Sequence, residues 1–240
     1  MAVRENLRSR RSHLRFMRHD KSLSDDLVEK LWSNPDSLMD SGEVLYHCDR
    51  RRLVRLAWNE LSYVIKHYQE PKRRHALRAL LRPSRARTTW ETSRRLSALG
   101  VPTPSPVAYV ENRWGPLRRD SYLMYAYVQG ETLRQLFAGQ PLYARHHQRL
   151  AEQFANVISQ VDQLGAVLCD PNLGNFVVTP EGRLWVIDHD KTRFPRFSSA
   201  AEAGRRRGWK ALDESAHQIG ATALSFVERV RQQQATPRAA

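Results

Sequence analysis

The spacing of apolar positions changes along the chain and divides it into a stretch of strands followed by a stretch of helices. Leu53-Val54-Arg55-Leu56-Ala57-Trp58 and Leu61-Ser62-Tyr63-Val64-Ile65-Lys66-His67-Tyr68, parted by Asn59-Glu60, predict a β-hairpin. Val107-Ala108-Tyr109-Val110-Glu111 and Ser121-Tyr122-Leu123-Met124-Tyr125-Ala126-Tyr127-Val128 predict two more strands. From Leu150 the period becomes helical: Phe154, Val157, Ile158, Val161 and Leu164 recur at three- and four-residue steps and predict one long amphipathic helix. Phe176-Val177-Val178 and Arg183-Leu184-Trp185-Val186-Ile187 flank the turn residues Thr179-Pro180-Glu181-Gly182, a second hairpin.

Shorter signals fill in the rest. Ser24 before Asp25-Asp26 marks a helix start, with Leu27, Leu31 and Trp32 as its apolar face. Thr88 to Leu99 reads as a helix that turns Trp90, Leu96 and Leu99 inward and stops at Gly100. Val101-Pro102-Thr103-Pro104-Ser105-Pro106 cannot be helical and predicts an extended connector. Ile219, Ala223, Phe226, Val227 and Val230 mark a C-terminal helix, frayed from Gln232 onward. The expected organisation is a basic N-terminal extension over 1–40, a sheet-rich part with one helix over 41–128, and a mainly helical part over 129–240. The change from strand to helix at Ala126 to Gly130 is the natural boundary.

Composition narrows the class of partner. The net charge of +14 favours anionic ones: nucleic acid, an acidic membrane face or a phosphorylated substrate. No zinc-finger spacing or aromatic RNA-binding signature is present, so no specific nucleic acid is expected. No apolar run approaches the length of a membrane span, and the Arg-rich start lacks the apolar core of a secretory signal; a cytoplasmic location is expected. Cys48 and Cys169 give neither a metal nor a disulfide pattern. The arginines of the first 40 residues read either as a phosphate or membrane anchor or as a solvated arm.

Candidate chemistry is concentrated in Cys169-Asp170-Pro171-Asn172-Leu173-Gly174-Asn175 and in Asp188-His189-Asp190. An acid is followed five positions later by an amide, and thirteen positions beyond that by a second acid at the end of an apolar strand. Phosphoryl transfer needs one carboxylate, Asp170, to orient and deprotonate a hydroxyl. It also needs an amide and a carboxylate, Asn175 and Asp188, to hold magnesium on the phosphates. The hairpin between Asn175 and Asp188 would bring all three to one end. Lys66, near the end of its strand, reads as a solvent-facing lysine when taken alone and as a phosphate ligand beside these acids. Glu91 could aim Lys66, or could be a surface acid bridged to Arg94 or Arg95 one turn on.

Taken in order, Lys66 in a Val-Ile-Lys strand, Glu91 in the next helix, the Tyr125-to-Val128 crossing, Asp170-x4-Asn175 and Asp188-His189-Asp190 resemble the elements of the protein-kinase-like fold. The resemblance is nearest to bacterial lipopolysaccharide core kinases of the heptose/Kdo type and covers roughly residues 40 to 230. It implies an α+β, two-lobed fold with a small β-rich N-lobe and a mainly helical C-lobe. It further implies ATP and Mg2+ as cofactors, Lys66 on the α/β-phosphates with Glu91 orienting it, and backbone groups of Ala126 and Val128 facing adenine. Asp170 becomes the catalytic base, with Asn175 and Asp188 the magnesium ligands.

The sequence also departs from that pattern. No G-x-G-x-x-G loop precedes Lys66, and Ser41-Gly42 is the plausible phosphate-covering turn. Leu168-Cys169 stand where His-Arg precedes the catalytic acid, Asn172 stands where protein kinases have a catalytic-loop lysine, and Asp190 stands where glycine is usual. The expected activity is ATP-dependent phosphorylation of a heptose or Kdo hydroxyl of the lipopolysaccharide inner core. An anionic acceptor and peripheral contact with the inner-membrane surface agree with the positive charge, and the basic cluster from Arg73 to Arg87 is the candidate contact. A pseudokinase or nucleotide-binding scaffold, or another small-molecule phosphotransferase, is the alternative.

Overall fold

The computed structural model describes residues 6–69, 83–114, 117–139 and 147–235. The chain separates into two compact units, one of 1–94 with 105–127 and one of 95–104 with 128–240. The first unit ends at Tyr127, and the second, which also takes 95–104, resumes at Val128.

The first unit is built on a seven-stranded antiparallel sheet. In chain order its strands are β1 (Leu7–Arg11), β2 (Arg15–Asp20), β3 (Glu43–Cys48), β4 (Arg51–Trp58), β5 (Leu61–Tyr68), β6 (Pro106–Trp114) and β7 (Leu117–Ala126). Their spatial order is β1-β2-β6-β7-β5-β4-β3. Alternation along β5 decides what covers each face, because successive side chains point to opposite sides of a strand. Tyr63 and Ile65 join a cluster with Leu27, Leu31, Leu38 and Met39 of helices α1 (Asp25–Ser33) and α2 (Pro35–Asp40). Val64 and Tyr68 face the other way, onto Ala86 and Trp90 of helix α3 (Arg85–Ala98). The α1 start is as the sequence indicates, with Ser24 Oγ accepting from the Leu27 amide at 3.4 Å.

Residues 7–40, which fall in the expected basic extension, supply β1, β2, α1 and α2 to this unit. The physical reason is that several of the arginines have structural partners. Arg10 pairs with Glu29 at 2.5 Å, and Arg15 donates to Asn112 at 2.8 Å and to the carbonyls of Trp32 and Ser33 that end α1. Further along β2, Met17 and His19 turn inward. Of the basic cluster, Lys72, Arg73, Arg74, Arg78 and Arg82 lie outside the described residues, and Arg85 and Arg87 begin α3.

The second unit is helical around small ladders. It comprises β8 (Glu131–Thr132), α4 (Leu133–Ala138), α5 (His147–Gln163), β9 (Val167–Leu168), a 3-10 turn over Leu173–Asn175, β10 (Phe176–Val178), β11 (Leu184–Val186), β12 (Thr192–Arg193), α6 (Ser198–Ile219) and α7 (Ala221–Ala235). The predicted amphipathic helix is α5, whose Leu150, Phe154, Val157 and Val161 form the core with Phe176, Val186, Phe226 and Val230. The predicted hairpin is β10–β11, in register Phe176↔Val186, with Gly182 at φ +74° where the turn needs a left-handed residue. The C-terminal helical region is two helices, broken at Gly220 with φ +125°. No helix among the described residues is long and apolar enough to cross a membrane.

Candidate active site

In the second unit the segment from Asp170 to Asn175 is closed by local hydrogen bonds and joined to the strand that leads into Asp188. Asp170 lies in the loop after β9. Asn172 Oδ1 accepts from the Gly174 amide at 2.9 Å and its carbonyl accepts from the Asn175 amide at 2.9 Å, which closes the 3-10 turn. Leu173, fully buried, anchors that turn and donates its amide to Ser215 Oγ of α6 at 3.1 Å. With the turn closed, Asn175 Nδ2 reaches back to the carbonyl of Asp170 at 3.0 Å. The Asn175 carbonyl accepts from the Ile187 amide at 2.9 Å, which fixes the end of β11 where Asp188 begins. That bond extends the β10–β11 ladder to the residue before Asp188.

The segment after Asp188 is equally constrained. Asp188 Oδ1 accepts from the Asp190 amide at 3.0 Å, and the Thr192 amide donates to the His189 carbonyl at 3.0 Å. His189 Nε2 lies 2.6 Å from Thr103 Oγ1, both groups buried. β12 then pairs with β9 in register Thr192↔Leu168, which returns the chain to the start of the Asp170 loop. The result is an ion pair in which Lys191 Nζ donates to Asp170 Oδ2 at 2.7 Å. Asn172 Nδ2 stands 3.5 Å from the other oxygen, Asp170 Oδ1.

The donor chemistry suits a hard cation. Asn175 spends its Nδ2 on the Asp170 carbonyl, so its Oδ1 is the atom left to act as a ligand, and Asp188 adds carboxylate oxygen. Among the described residues no three His, Cys, Asp or Glu side chains gather as a metal cage. Magnesium does not require one, since it is commonly held by one or two protein oxygens with substrate phosphates and water.

In the first unit Lys66 is 3% exposed on β5, paired in register with Leu53 and Leu123. Its Nζ sits 5.2 Å from the centroid of the Tyr68 ring, and Arg85 lies 4.8 Å from the same ring. Glu91 Oε1 accepts from Arg87 Nε at 2.8 Å, one turn before it rather than after. This half-exposed i,i+4 pair is the partner the structure gives Glu91. Ala126 ends β7 with its amide donated to the Ser105 carbonyl at 3.4 Å, and Val128 opens the second unit. Ser41-Gly42 is not a phosphate-covering turn. A Cβ on Gly42 would stand 2.3 Å from Val54 Cγ1, so this backbone is packed against β4, and the hairpin that precedes the Lys66 strand turns instead at Asp49-Arg50.

Sequence reasoning missed Lys191, Ser215 and Thr103. Lys191 follows Asp188-His189-Asp190 directly, and a cation adjoining two acids was a usable signal. Ser215 and Thr103 gave none, because their partners are distant in sequence.

Among curated proteins no match to the chain is found. Residues 29–228, most of the chain and including the strand lysine, the Asp170–Asn175 loop and the Asp188 segment, match the lipopolysaccharide kinase (Kdo/WaaP) family. With the β-rich first unit and helical second unit in the order such a kinase has, the chain belongs to the lipopolysaccharide kinase (Kdo/WaaP) family.

Proposed function

We propose that this kinase transfers the γ-phosphoryl group of ATP to a sugar hydroxyl, heptose or Kdo, of the lipopolysaccharide inner core. The observation that carries the reading is the closed loop in which Asn175 binds the Asp170 carbonyl and receives the Ile187 amide, in a member of this family. Asp170 acts as the base for the acceptor hydroxyl. Asn175 and Asp188 are the residues that would hold Mg2+, which when bound neutralises charge on the phosphates. Lys66 contributes the phosphate-contacting cation of the first unit, and the Ala126 carbonyl and Val128 backbone are its adenine contacts. The net charge of +14 supports an anionic acceptor presented at the cytoplasmic face of the inner membrane.

The test is phosphate transfer from ATP to purified core oligosaccharide with Mg2+, comparing wild type with Asp170→Ala. Losing the residue that orients the nucleophile costs about 3–5 kcal/mol, or two to four powers of ten in rate. Equal rates in the two proteins would remove Asp170 from the mechanism. Nucleotide binding by a wild type that transfers nothing would identify a scaffold.

A further inference from the structure

The Asp170 loop carries no cation of its own: the segment Cys169-Asp170-Pro171-Asn172-Leu173-Gly174-Asn175 contains neither lysine nor arginine. The fold brings one there from elsewhere. The β9–β12 ladder places Thr192 opposite Leu168, so the residues leading into β12 lie beside those leaving β9, and Lys191 reaches Asp170 at 2.7 Å. The lysine side chain is 62% exposed while the aspartate is 25% exposed. An ammonium held at one end only, on a flexible four-carbon stem, can swing without disturbing the core.

This contact is at odds with the role proposed for Asp170. The oxygen Oδ2 that would face an acceptor hydroxyl is occupied by the Lys191 ammonium at 2.7 Å, while Asn172 Nδ2 stands 3.5 Å from Oδ1. Transfer itself spreads negative charge over the three equatorial oxygens of the phosphoryl group, and stabilising that charge is the protein's main task in such reactions. One movement answers both demands.

We propose that Lys191 is a catalytic residue which rests on Asp170 and shifts onto the γ-phosphoryl oxygens when ATP is bound, an inference that rests on the kinase reading above. In the step, a bond forms between the acceptor oxygen and the γ-phosphorus. The bond from that phosphorus to the β,γ-bridging oxygen breaks, and its electron pair departs with ADP. The hydroxyl proton passes to the Asp170 carboxylate, and the Lys191 ammonium keeps its protons throughout. Its site is therefore the terminal phosphate, which ATP has and ADP lacks.

The experiment uses the full chain with Lys191→Met, which keeps length and removes charge, and Lys191→Arg, which keeps charge. Transfer to core oligosaccharide is measured with kcat and KM for ATP separated, and ATP and ADP affinities are measured by calorimetry. The expected result is a kcat lowered roughly 30- to 1,000-fold in the Met variant, at least partial recovery in the Arg variant, ADP affinity unchanged and the preference for ATP over ADP reduced. A Met variant as fast as wild type overturns the proposal. So do equally slow Met and Arg variants with lowered melting temperatures, which would make the pair a structural tie. A wild type without any transfer overturns the kinase reading and this inference with it, whereas the preceding two outcomes leave the kinase reading standing.

Discussion

Thr103 and His189, far apart in sequence, meet at 2.6 Å between Oγ1 and Nε2 in the interior of the second unit. The contact fixes the residue that separates Asp188 from Asp190, and the adjoining backbone is held by the Val186 amide on the Pro102 carbonyl at 2.8 Å. The proline-rich connector is thus a brace for the Asp188 segment as well as a link.

Thr103→Val keeps the shape and removes the hydroxyl. The lost bond leaves a buried ring nitrogen without this contact, at a cost of about 1–3 kcal/mol. Denaturant unfolding should show that loss, and transfer activity should fall with it because Asp188 adjoins the released ring. An unchanged unfolding midpoint would mean that the contact contributes nothing.

Much of the fold was legible because its apolar periods are strong. The β4–β5 hairpin, α5 and the β10–β11 hairpin all bury large side chains at regular spacing. The elements that escaped do not. β3 is exposed along almost its whole length, and β1 is mostly arginine and serine. Helix α6 buries Gly204, Gly208, Leu212, Ser215 and Ala216, small groups that leave little hydrophobic period to read. In the site, Asp170, Asn175 and Asp188 are expectations drawn from local spacing, whereas the partners Lys191, Ser215 and Thr103 depend on tertiary pairing.

The same small residues yield a second prediction. A Cβ on Gly208 would stand 2.4 Å from the Leu168 carbonyl oxygen, with Pro171 Cδ at 3.4 Å. Both belong to the backbone that carries Asp170, and a carbonyl in a ladder cannot simply turn away. Gly208→Ala should therefore destabilise by about 1–3 kcal/mol through overpacking and should lower kcat more than it raises KM for ATP. A stable, fully active variant would show that α6 can slide without moving the loop.

Lys66 and Glu91 should respond unequally. Lys66 is buried, and replacing it with methionine removes the cation proposed for the phosphates, with an expected loss of roughly 100-fold or more in kcat/KM for ATP. Glu91 stands in an exposed pair with Arg87, and such pairs contribute about 0.3–0.5 kcal/mol. Glu91→Gln should then change activity less than about 3-fold, matching that small energy. A loss as deep as that of Lys66→Met would show that Glu91 leaves Arg87 and aims Lys66 during turnover.

His147, at the start of α5, stands edge-on to Phe137 with ring centroids 5.2 Å apart. Burial, with the positive charge of Arg229 as the smaller cause, holds its imidazole below the ordinary value of 6.5. The folded state therefore binds fewer protons here than the unfolded chain, which makes stability rise with pH across the window from the depressed folded value to 6.5. Acidification through that window must charge a buried ring or unfold it, so this contribution is present at neutral pH and falls away below 6.5. His147→Phe retains a ring against Phe137 and removes the titration. The stability of wild type relative to this variant, from urea unfolding at a series of pH values from neutral to mildly acidic, should decline as pH falls. A difference that stays constant over the series would show that His147 titrates alike in the folded and unfolded states.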